Sequence, residues 1–372
     1  MTQHLITGSV GQLAEVEERI GRLYREAIGA QTADETVPVV RIALCNLVAY
    51  VRSEERASGV VEDTSRIVGA HPCRAIVVDA MPPLPGEEHT SVSVVCAVTG
   101  RGDRRVCGEI IRVHAHQGRG DAVGSIMPLL TPDVPLIVWV PEETALQDAE
   151  FEELSEVADG LVVDSREWSN LPAALVRVLA LAEEVPQGAQ DLGWTALERW
   201  RELTAEHFDP HPARACLDSM ERIVLEYADA GAAPPSIPLL FASWLIDRTG
   251  LDIADVGTPL EGCLQIRAMQ GGRPVDVALT SRRAAGEPGR LLQVTIVCST
   301  PDGQATFTTA VAGQSRLSID QRCVGICYPP RTVEIGPQDR AALVAEALDA
   351  AMRDPIYERA ARLALDVLSR ST

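Results

Sequence analysis

Several features that would assign a function directly are missing from this 372-residue sequence. It contains no GxSxG, HExxH or P-loop motif, which excludes the common signatures of serine hydrolases, zinc peptidases and P-loop nucleotidases. Its acidic residues are spread over the faces of predicted helices, where carboxylates are normally only solvated. We therefore expect a protein without catalytic residues, cofactor or bound metal.

Positive charge and long apolar runs are also scarce. The chain has 33 basic against 53 acidic residues, a net charge of −20, and such a surface repels the phosphate backbone of nucleic acid. No run reaches the ~18–20 apolar residues that cross a bilayer. The first 20 residues lack the basic region and apolar core of a signal peptide. We expect a cytoplasmic protein that binds neither nucleic acid nor membranes.

Aromatic residues make up only 4% of the chain, but cysteine is present at nine positions. Most cysteines lie in apolar runs, where a thiol behaves as a small hydrophobe, so mostly buried free thiols are expected. The one close pair, Cys323 and Cys327, is separated by three residues, whereas zinc and redox motifs usually have two. A redox switch at this pair is the alternative.

The length of the chain and a change in its sequence pattern after residue 186 predict two domains. In residues 1–186, strands alternate with helices, which predicts a three-layer α/β domain with a mixed sheet. The run at 134–140 is apolar throughout and bounded by prolines, as in a strand buried on both faces. Residues 185–190 are the candidate linker. The predicted strands are 36–52, 73–79, 90–99, 106–116, 134–140 and 160–164, and the predicted helices are 9–29, 62–70, 121–130, 146–158 and 171–184.

The sequence pattern of residues 187–372 differs from that of the first half and predicts an α+β domain. Five β-rich runs joined by short connections indicate an antiparallel meander followed by two C-terminal helices. The predicted strands are 263–269, 275–281, 291–298, 305–312 and 315–320, and the predicted helices are 239–248, 337–352 and 355–369.

The most distinctive stretch is residues 191–209, predicted as one amphipathic helix with Asp191 as its N-cap. Trp194 and Trp200 lie on its apolar arc, and Arg201 interrupts that arc. One interpretation is a core helix in which Arg201 pairs with Glu198 one turn away. The other is a docking helix in which Trp194, Trp200 and Arg201 anchor a partner protein.

Three further patterns are weak candidates for ligand sites. Gly118, Gly120 and Gly124 follow a strand and open a helix, but the third glycine comes one residue late for a nucleotide-binding loop. Arg74 follows His71 and Cys73 at the start of a strand, and a Cys/His nucleophile pair there is disfavoured because extended backbone separates neighbouring side chains. His114 and His116 share a strand face without an identifiable third metal ligand.

Four segments, in the same order and with similar spacing, resemble the OpcA family of glucose-6-phosphate dehydrogenase assembly proteins. They are residues 191–194 with 200–203 and 208–209; residues 71–75; residues 128–133 with 135–140; and residues 239–245 with 250–251. Gly193 and the Cys323/Cys327 pair depart from the family pattern.

The resemblance implies a non-catalytic protein that binds glucose-6-phosphate dehydrogenase and promotes its assembly and activation in the oxidative pentose phosphate pathway. The alternative function is an enzyme or sensor that binds a sugar phosphate or nucleotide through Arg74 and the glycines of residues 118–124.

Overall fold

A computed structural model describes residues 4–10, 15–29, 39–80, 90–98, 105–114, 122–229, 231, 235–260, 262–284, 286–313, 315–323, 326–327, 329–350 and 353–371. The chain forms two compact units, each assembled from separated segments. Unit 1 consists of Met1–Glu167, Arg177–Leu192 and Asp339–Arg353, and unit 2 of Trp168–Val176, Gly193–Gln338 and Asp354–Thr372. The predicted boundary between residues 186 and 187 stays a prediction.

Unit 1 is built on a nine-stranded sheet. Its strands are β1 His4–Val10, β2 Val39–Arg41, β3 Asn46–Val51, β4 Arg74–Asp79, β5 Thr90–Val98, β6 Arg105–His114, β7 Leu136–Val140, β8 Gly160–Val163 and β9 Ala189–Asp191. The order is β1-β5-β6-β4-β3-β7-β8-β9, with β2 also beside β6. The pairs β1–β5 and β5–β6 are antiparallel and the others parallel. The predicted α/β character of the first half is confirmed.

Eleven α-helices occur among the described residues of the two units. They are α1 Val16–Gly29, α2 Glu54–Ala70, α3 Ala122–Ile126, α4 Ala149–Val157, α5 Leu171–Glu184, α6 Leu192–Thr195, α7 Glu198–Glu206, α8 His211–Arg214, α9 Ser236–Thr249, α10 Arg340–Asp349 and α11 Pro355–Arg370. No described helix combines the length and apolarity needed to cross a bilayer.

Local chemistry explains where several elements begin and end. Ser53 caps α2 by accepting a hydrogen bond from the Arg56 backbone N–H. Gly250 ends α9 in the left-handed conformation (φ 64°), which costs a residue without a Cβ little. Every residue of β7 is buried, as expected for a central strand with parallel neighbours on both sides.

Unit 2 carries a second nine-stranded sheet. Its strands are β10 Met220–Ala228, β11 Asp252–Val256, β12 Cys263–Gln270, β13 Arg273–Arg282, β14 Leu291–Thr300, β15 Gly303–Val311, β16 Arg316–Cys323, β17 Ile326–Cys327 and β18 Arg331–Glu334. The order is β11-β12-β13-β10-β14-β15-β16-β17, with β18 also beside β16.

The predicted meander is interrupted. Strand β10 lies between β13 and β14, parallel to β13 and antiparallel to β14. The connection from β13 to β14 therefore steps over a strand that comes earlier in the chain. The remaining neighbours from β11 to β17 pair antiparallel, as predicted for the β-rich runs.

Other sequence predictions need correction in detail. The predicted strand at 36–52 is two strands, β2 and β3, which pair with different partners. The predicted helix at 9–29 is preceded by strand β1 and begins at Val16. The predicted linker at 185–190 includes part of β9, which pairs with β8 and belongs to the sheet of unit 1.

One cysteine pair is bonded instead of free. Cys96 and Cys107 form a disulfide across the antiparallel strands β5 and β6, with Cα atoms 4.1 Å apart. The apolar run around Cys96 predicted only a small hydrophobe, because a run does not show which residue lies opposite. Six described cysteines are free thiols, and four of these are buried.

Candidate functional site

Residues 191–209 form two short helices, α6 and α7, and not the single predicted helix. Asp191 ends strand β9, and its Oδ1 accepts a hydrogen bond from the backbone N–H of Ser165 at 3.0 Å. Asp191 also lies directly before α6, and its predicted N-cap role stays a prediction. Its carboxylate joins two segments of unit 1.

Trp194 is held inside unit 2 by helix α11. Its indole Nε1 donates a hydrogen bond to Asp354 Oδ2 at 2.7 Å, and its ring lies 5.8 Å from the Tyr357 ring between centroids. The other oxygen of Asp354 caps α11 by accepting from the N–H groups of Ile356 and Tyr357. Trp194 is only 2% exposed, and both its hydrogen bond to Asp354 and its ring contact with Tyr357 lie within unit 2.

Arg201 lies flat against that tryptophan. Its Cζ is 3.5 Å from the Trp194 ring centroid, which is cation–π geometry. Its NH1 is buried and has no hydrogen-bond partner among the described residues. Burial lowers the pKa of Arg201 to about 10, although Asp354 and Glu198 oppose the shift. The predicted ion pair with Glu198 is not found between these two described side chains, because the guanidinium stacks on Trp194 instead.

Trp200 is also buried, at 5% exposed. The structure therefore places both predicted tryptophan anchors beneath the surface of unit 2, with Arg201 beside one of them. The role of Trp194, Trp200 and Arg201 in binding a partner stays a prediction.

Arg74, the candidate anion ligand of unit 1, belongs to a partly buried ion-pair network. Its guanidinium donates to Glu109 at 2.6 and 2.8 Å, to Glu17 at 2.6 Å and to the Leu129 carbonyl at 2.7 Å. Arg41 bridges the same two carboxylates. Burial raises the pKa of Glu17, but the two arginines outweigh that effect and leave it lowered. The ligand-binding role of Arg74 stays a prediction.

The other candidate ligand residues are only partly described. Gly124 lies within α3, whereas Gly118, Gly120 and His116 lie outside the described residues. His114 lies at the end of β6, with its Nδ1 3.7 Å from Asp79 Oδ2. The structure therefore brings His114 close to a carboxylate.

The largest candidate surface is one face of the sheet in unit 2. Strand register aligns three rows of side chains across β12, β13, β10, β14, β15 and β16, and we call these 18 residues the open face. The first row is Arg267, Asp276, Arg222, Val297, Thr306 and Arg322. The second row is Gln265, Ala278, Val224, Thr295, Thr308 and Asp320. The third row is Cys263, Thr280, Glu226, Gln293, Ala310 and Ser318.

Alternation along the strands separates the open face from the core. The open-face side chains are all exposed or half-buried, whereas most of the residues between them are buried. On the buried side, α9 packs against β10 and β13, and α7 packs against β15. Each strand thus presents one side to the helices of its unit and the other side outward.

The open face has an uncharged centre. At the centre of this surface, on strands β13, β10, β14 and β15, the side chains are small or β-branched: Ala278, Val224, Thr295, Val297, Thr306 and Thr308. Charged side chains lie in the outer rows or on the outer strands: Arg267, Asp276, Arg222, Glu226, Asp320 and Arg322. Depletion of charge at the centre with a polar rim is the usual anatomy of a protein–protein interface.

Its size also fits an interface. Six strands about 4.8 Å apart and three rows about 6.6 Å apart cover roughly 30 by 20 Å, or about 600 Å². A standard interface buries about 800 Å² on each partner. This surface is not predictable from the sequence, because small polar residues that alternate with apolar ones indicate only that a strand is present. These side chains form rows only when the strands pair in one register, and the alternation along a single strand does not determine that register.

Two family models together match most of the chain. Residues 64–180 match the N-terminal domain of a glucose-6-phosphate dehydrogenase subunit, and residues 187–361 match the C-terminal domain of the same subunit. An OxPP cycle protein OpcA of Synechococcus elongatus is 24% identical over 315 residues, which is 78% of this chain and 67% of that protein. The OpcA protein of Nostoc punctiforme is 29% identical over 197 residues, which is 51% of this chain and 41% of that protein.

The solved structures that match this chain share little sequence with it. An oxidoreductase domain protein from Kribbella flavida has a TM-score of 0.49 at 10% identity, over 89% of this chain and 97% of that one. A dehydrogenase from Clostridium difficile has a TM-score of 0.48 at 10% identity, over 88% and 99%. The family assignment therefore comes from the two matched domains, and the chain belongs to the OpcA family of glucose-6-phosphate dehydrogenase subunits.

Proposed function

We propose that this protein is a non-catalytic partner of glucose-6-phosphate dehydrogenase that binds the enzyme, promotes its assembly and raises its activity in the oxidative pentose phosphate pathway. The domain descriptions and the relatives' names support the choice of enzyme. The open face is the observation that carries the binding mode, because it joins an uncharged centre to a charged rim on a rigid sheet.

A rigid sheet suits this role. The backbone of the open face is held by hydrogen bonds to neighbouring strands on both sides, so docking orders little that is not already ordered. The central Val224 has cross-strand neighbours Ala278 and Thr295, which leave room for apolar atoms of a partner. The rim charges of both signs would set orientation and association rate more than affinity.

The test is co-purification of the tagged full chain with glucose-6-phosphate dehydrogenase from its own host. We expect the wild-type chain to retain the enzyme and Val224→Arg to lose it, because an unpaired arginine buried at the centre of an interface is strongly unfavourable. The matched control is Val176→Arg, which makes the same change at a 58% exposed position on α5. Equal recovery with both variants would refute docking through the open face.

Retention by neither the wild-type chain nor the control would overturn the proposed partnership itself. The docking role predicted for residues 191–209 is tested in the same experiment by Arg201→Met. Loss of the enzyme with Arg201→Met alone would move the binding site to the α6–α7 region.

A further inference from the structure

Two cysteines and a histidine meet in unit 1, at the starts of two neighbouring strands. Cys45 immediately precedes β3 and Cys73 immediately precedes β4. The strands run parallel with Asn46 opposite Arg74, so the two cysteines occupy the next matching position. The Arg74 backbone N–H donates to the Cys45 carbonyl at 3.1 Å, which extends the pairing to this point. The two cysteines are therefore neighbours at the adjoining ends of the two strands.

His71 joins this pair to a carboxylate. It ends helix α2, where its backbone N–H donates to the Ile67 carbonyl. Its Nδ1 lies 2.7 Å from Asp349 Oδ1, on the last residue of α10. The Leu44 N–H donates to the Pro72 carbonyl at 2.9 Å, which brings the segment that carries His71 beside Cys45. Because Nδ1 is engaged by Asp349, Nε2 is the nitrogen left for Cys45. The groups follow the order thiol, imidazole, carboxylate, the arrangement that activates nucleophilic cysteines.

The electrostatics give the two thiols different roles. The hydrogen bond with Cys73 lowers the pKa of Cys45, and His71 adds to the effect, although burial opposes it. Burial also lowers the pKa of His71, but Cys45 and Asp349 outweigh it and raise that pKa. The hydrogen bond with Cys45, together with burial, raises the pKa of Cys73. These directions favour Cys45 over Cys73 as the nucleophile, with His71 as the group that holds the proton.

Access restricts what can react here. Cys45 is 4% exposed and Cys73 is fully buried, so a bulky substrate cannot reach either sulfur. The cluster nevertheless lies just beneath the surface, since Leu44 is 52% exposed and the Asp349 side chain is 72% exposed. A small electrophile such as a hydroperoxide fits both observations.

We propose that Cys45 is a peroxide-reactive nucleophile that forms a disulfide with Cys73, with His71 and Asp349 as positioning residues. The Cys45 thiolate attacks one oxygen of a hydroperoxide, so that an S–O bond forms and the O–O bond breaks. The leaving alkoxide or hydroxide takes the His71 proton and departs as alcohol or water, which leaves Cys45 as a sulfenic acid.

The Cys73 sulfur then attacks the sulfenic sulfur. The S–S bond forms, the S–O bond breaks, and hydroxide leaves with the Cys73 proton as water. The two thiols lose two electrons in total and the hydroperoxide gains them. Matching positions on neighbouring strands are about 4.8 Å apart, within the 4.4–6.8 Å that a disulfide spans between Cα atoms. The spacing of the two strands is therefore compatible with this bond.

The test treats the full chain with hydrogen peroxide and maps cysteine-containing peptides by mass spectrometry. We expect a Cys45–Cys73 cross-link in the wild-type chain. In Cys73→Ser we expect a sulfenic acid at Cys45 that dimedone traps. Cys298 is the internal control, because burial raises the pKa of this thiol to about 12 and it should stay unmodified.

Kinetics test the positioning role of His71. The wild-type chain should react at pH 6.5 as well as at pH 8.5, because the lowered pKa of Cys45 favours its thiolate at both pH values. His71→Gln should react at least tenfold more slowly at pH 6.5 and regain most of the rate at pH 8.5, which a merely structural role would not produce. Asp349→Asn should show a smaller loss with the same pH pattern.

Two results would overturn the proposal. One is a wild-type Cys45 that reacts no faster than Cys298. The other is a His71→Gln variant, folded by circular dichroism, with the wild-type rate at both pH values. Dimedone labelling of the wild-type chain during oxidation needs no substitution, so a variant that fails to fold leaves the first criterion in force.

Discussion

Arg201 offers a sharp test of the electrostatics in unit 2. Replacing it with methionine keeps a long side chain over the Trp194 ring but removes the charge and the buried NH1 that lacks a partner among the described residues. Burial lowers the pKa of Arg201 from 12.5 to about 10, against the opposing effect of Asp354. At ~1.4 kcal/mol per unit, burial disfavours the charge by about 3 kcal/mol.

Stacking offsets part of that cost, since a desolvated cation–π contact contributes ~1–2 kcal/mol. We therefore expect Arg201→Met to raise the free energy of unfolding by about 1–2 kcal/mol. Equilibrium urea unfolding measures this difference directly. The control is Arg199→Met on the same helix, which removes an exposed ion pair with Glu202 and should change stability by less than ~0.5 kcal/mol.

A loss of 1 kcal/mol or more in Arg201→Met would refute the reasoning, because it would mean that the guanidinium is stabilised by a partner in the folded chain. A more stable variant that binds glucose-6-phosphate dehydrogenase less well would support the docking role predicted for residues 191–209. In that case a charge that is costly in the free chain would be paired in the complex. A stable variant that activates the enzyme normally would refute that role.

Three further predictions concern other parts of the chain. Burial lowers the pKa of His207 from 6.5 to about 4, so the unfolded chain binds a proton that the folded chain rejects, and stability should fall by about 3 kcal/mol between pH 6.5 and 4. His207→Gln should remove this fall in the free energy of unfolding. If the wild-type and variant proteins gave parallel curves of stability against pH, the assignment to His207 would be contradicted. The Cys96–Cys107 disulfide closes a loop of about 12 residues, so Cys96→Ser should lower the free energy of unfolding by about 3 kcal/mol, and an unchanged urea midpoint would contradict this. The isolated chain should not turn over glucose 6-phosphate or be stabilised thermally by that sugar phosphate or NADP, and turnover abolished by a point change would contradict the non-catalytic proposal.

Local elements were predictable where side-chain pattern alone determines them. Helix α5 has the predicted bounds of residues 171–184, and β7 falls within the predicted apolar run at 134–140. Both carry a strong periodicity or a continuous apolar stretch bounded by breaking residues, so the local signal and the final environment agree.

Features that depend on pairing between distant segments were not predictable. The insertion of β10 between β13 and β14, the disulfide between Cys96 and Cys107, and the alignment of the open face all follow from strand register. The hydrogen bond from the Ser165 N–H to the Asp191 carboxylate likewise joins segments that lie far apart in the sequence.

The Cys45 cluster illustrates the same limit of sequence patterns. His71 and Cys73 were weighed as a nucleophile pair and disfavoured, since extended backbone separates neighbouring side chains. The parallel pairing of β3 with β4 supplies Cys45 from 28 positions earlier in the chain, and α10 supplies Asp349. Neither contact can be predicted from the spacing of residues in the sequence.

The most direct measurement is the activity of glucose-6-phosphate dehydrogenase from the same host, titrated with this chain at fixed substrate and NADP concentrations. We predict a saturable rise in activity with the wild-type chain and with Val176→Arg. With Val224→Arg the half-maximal concentration should be at least tenfold higher, which corresponds to ~1.4 kcal/mol of binding free energy. Activity that stays flat at every concentration of the wild-type chain would contradict the proposed role as activator.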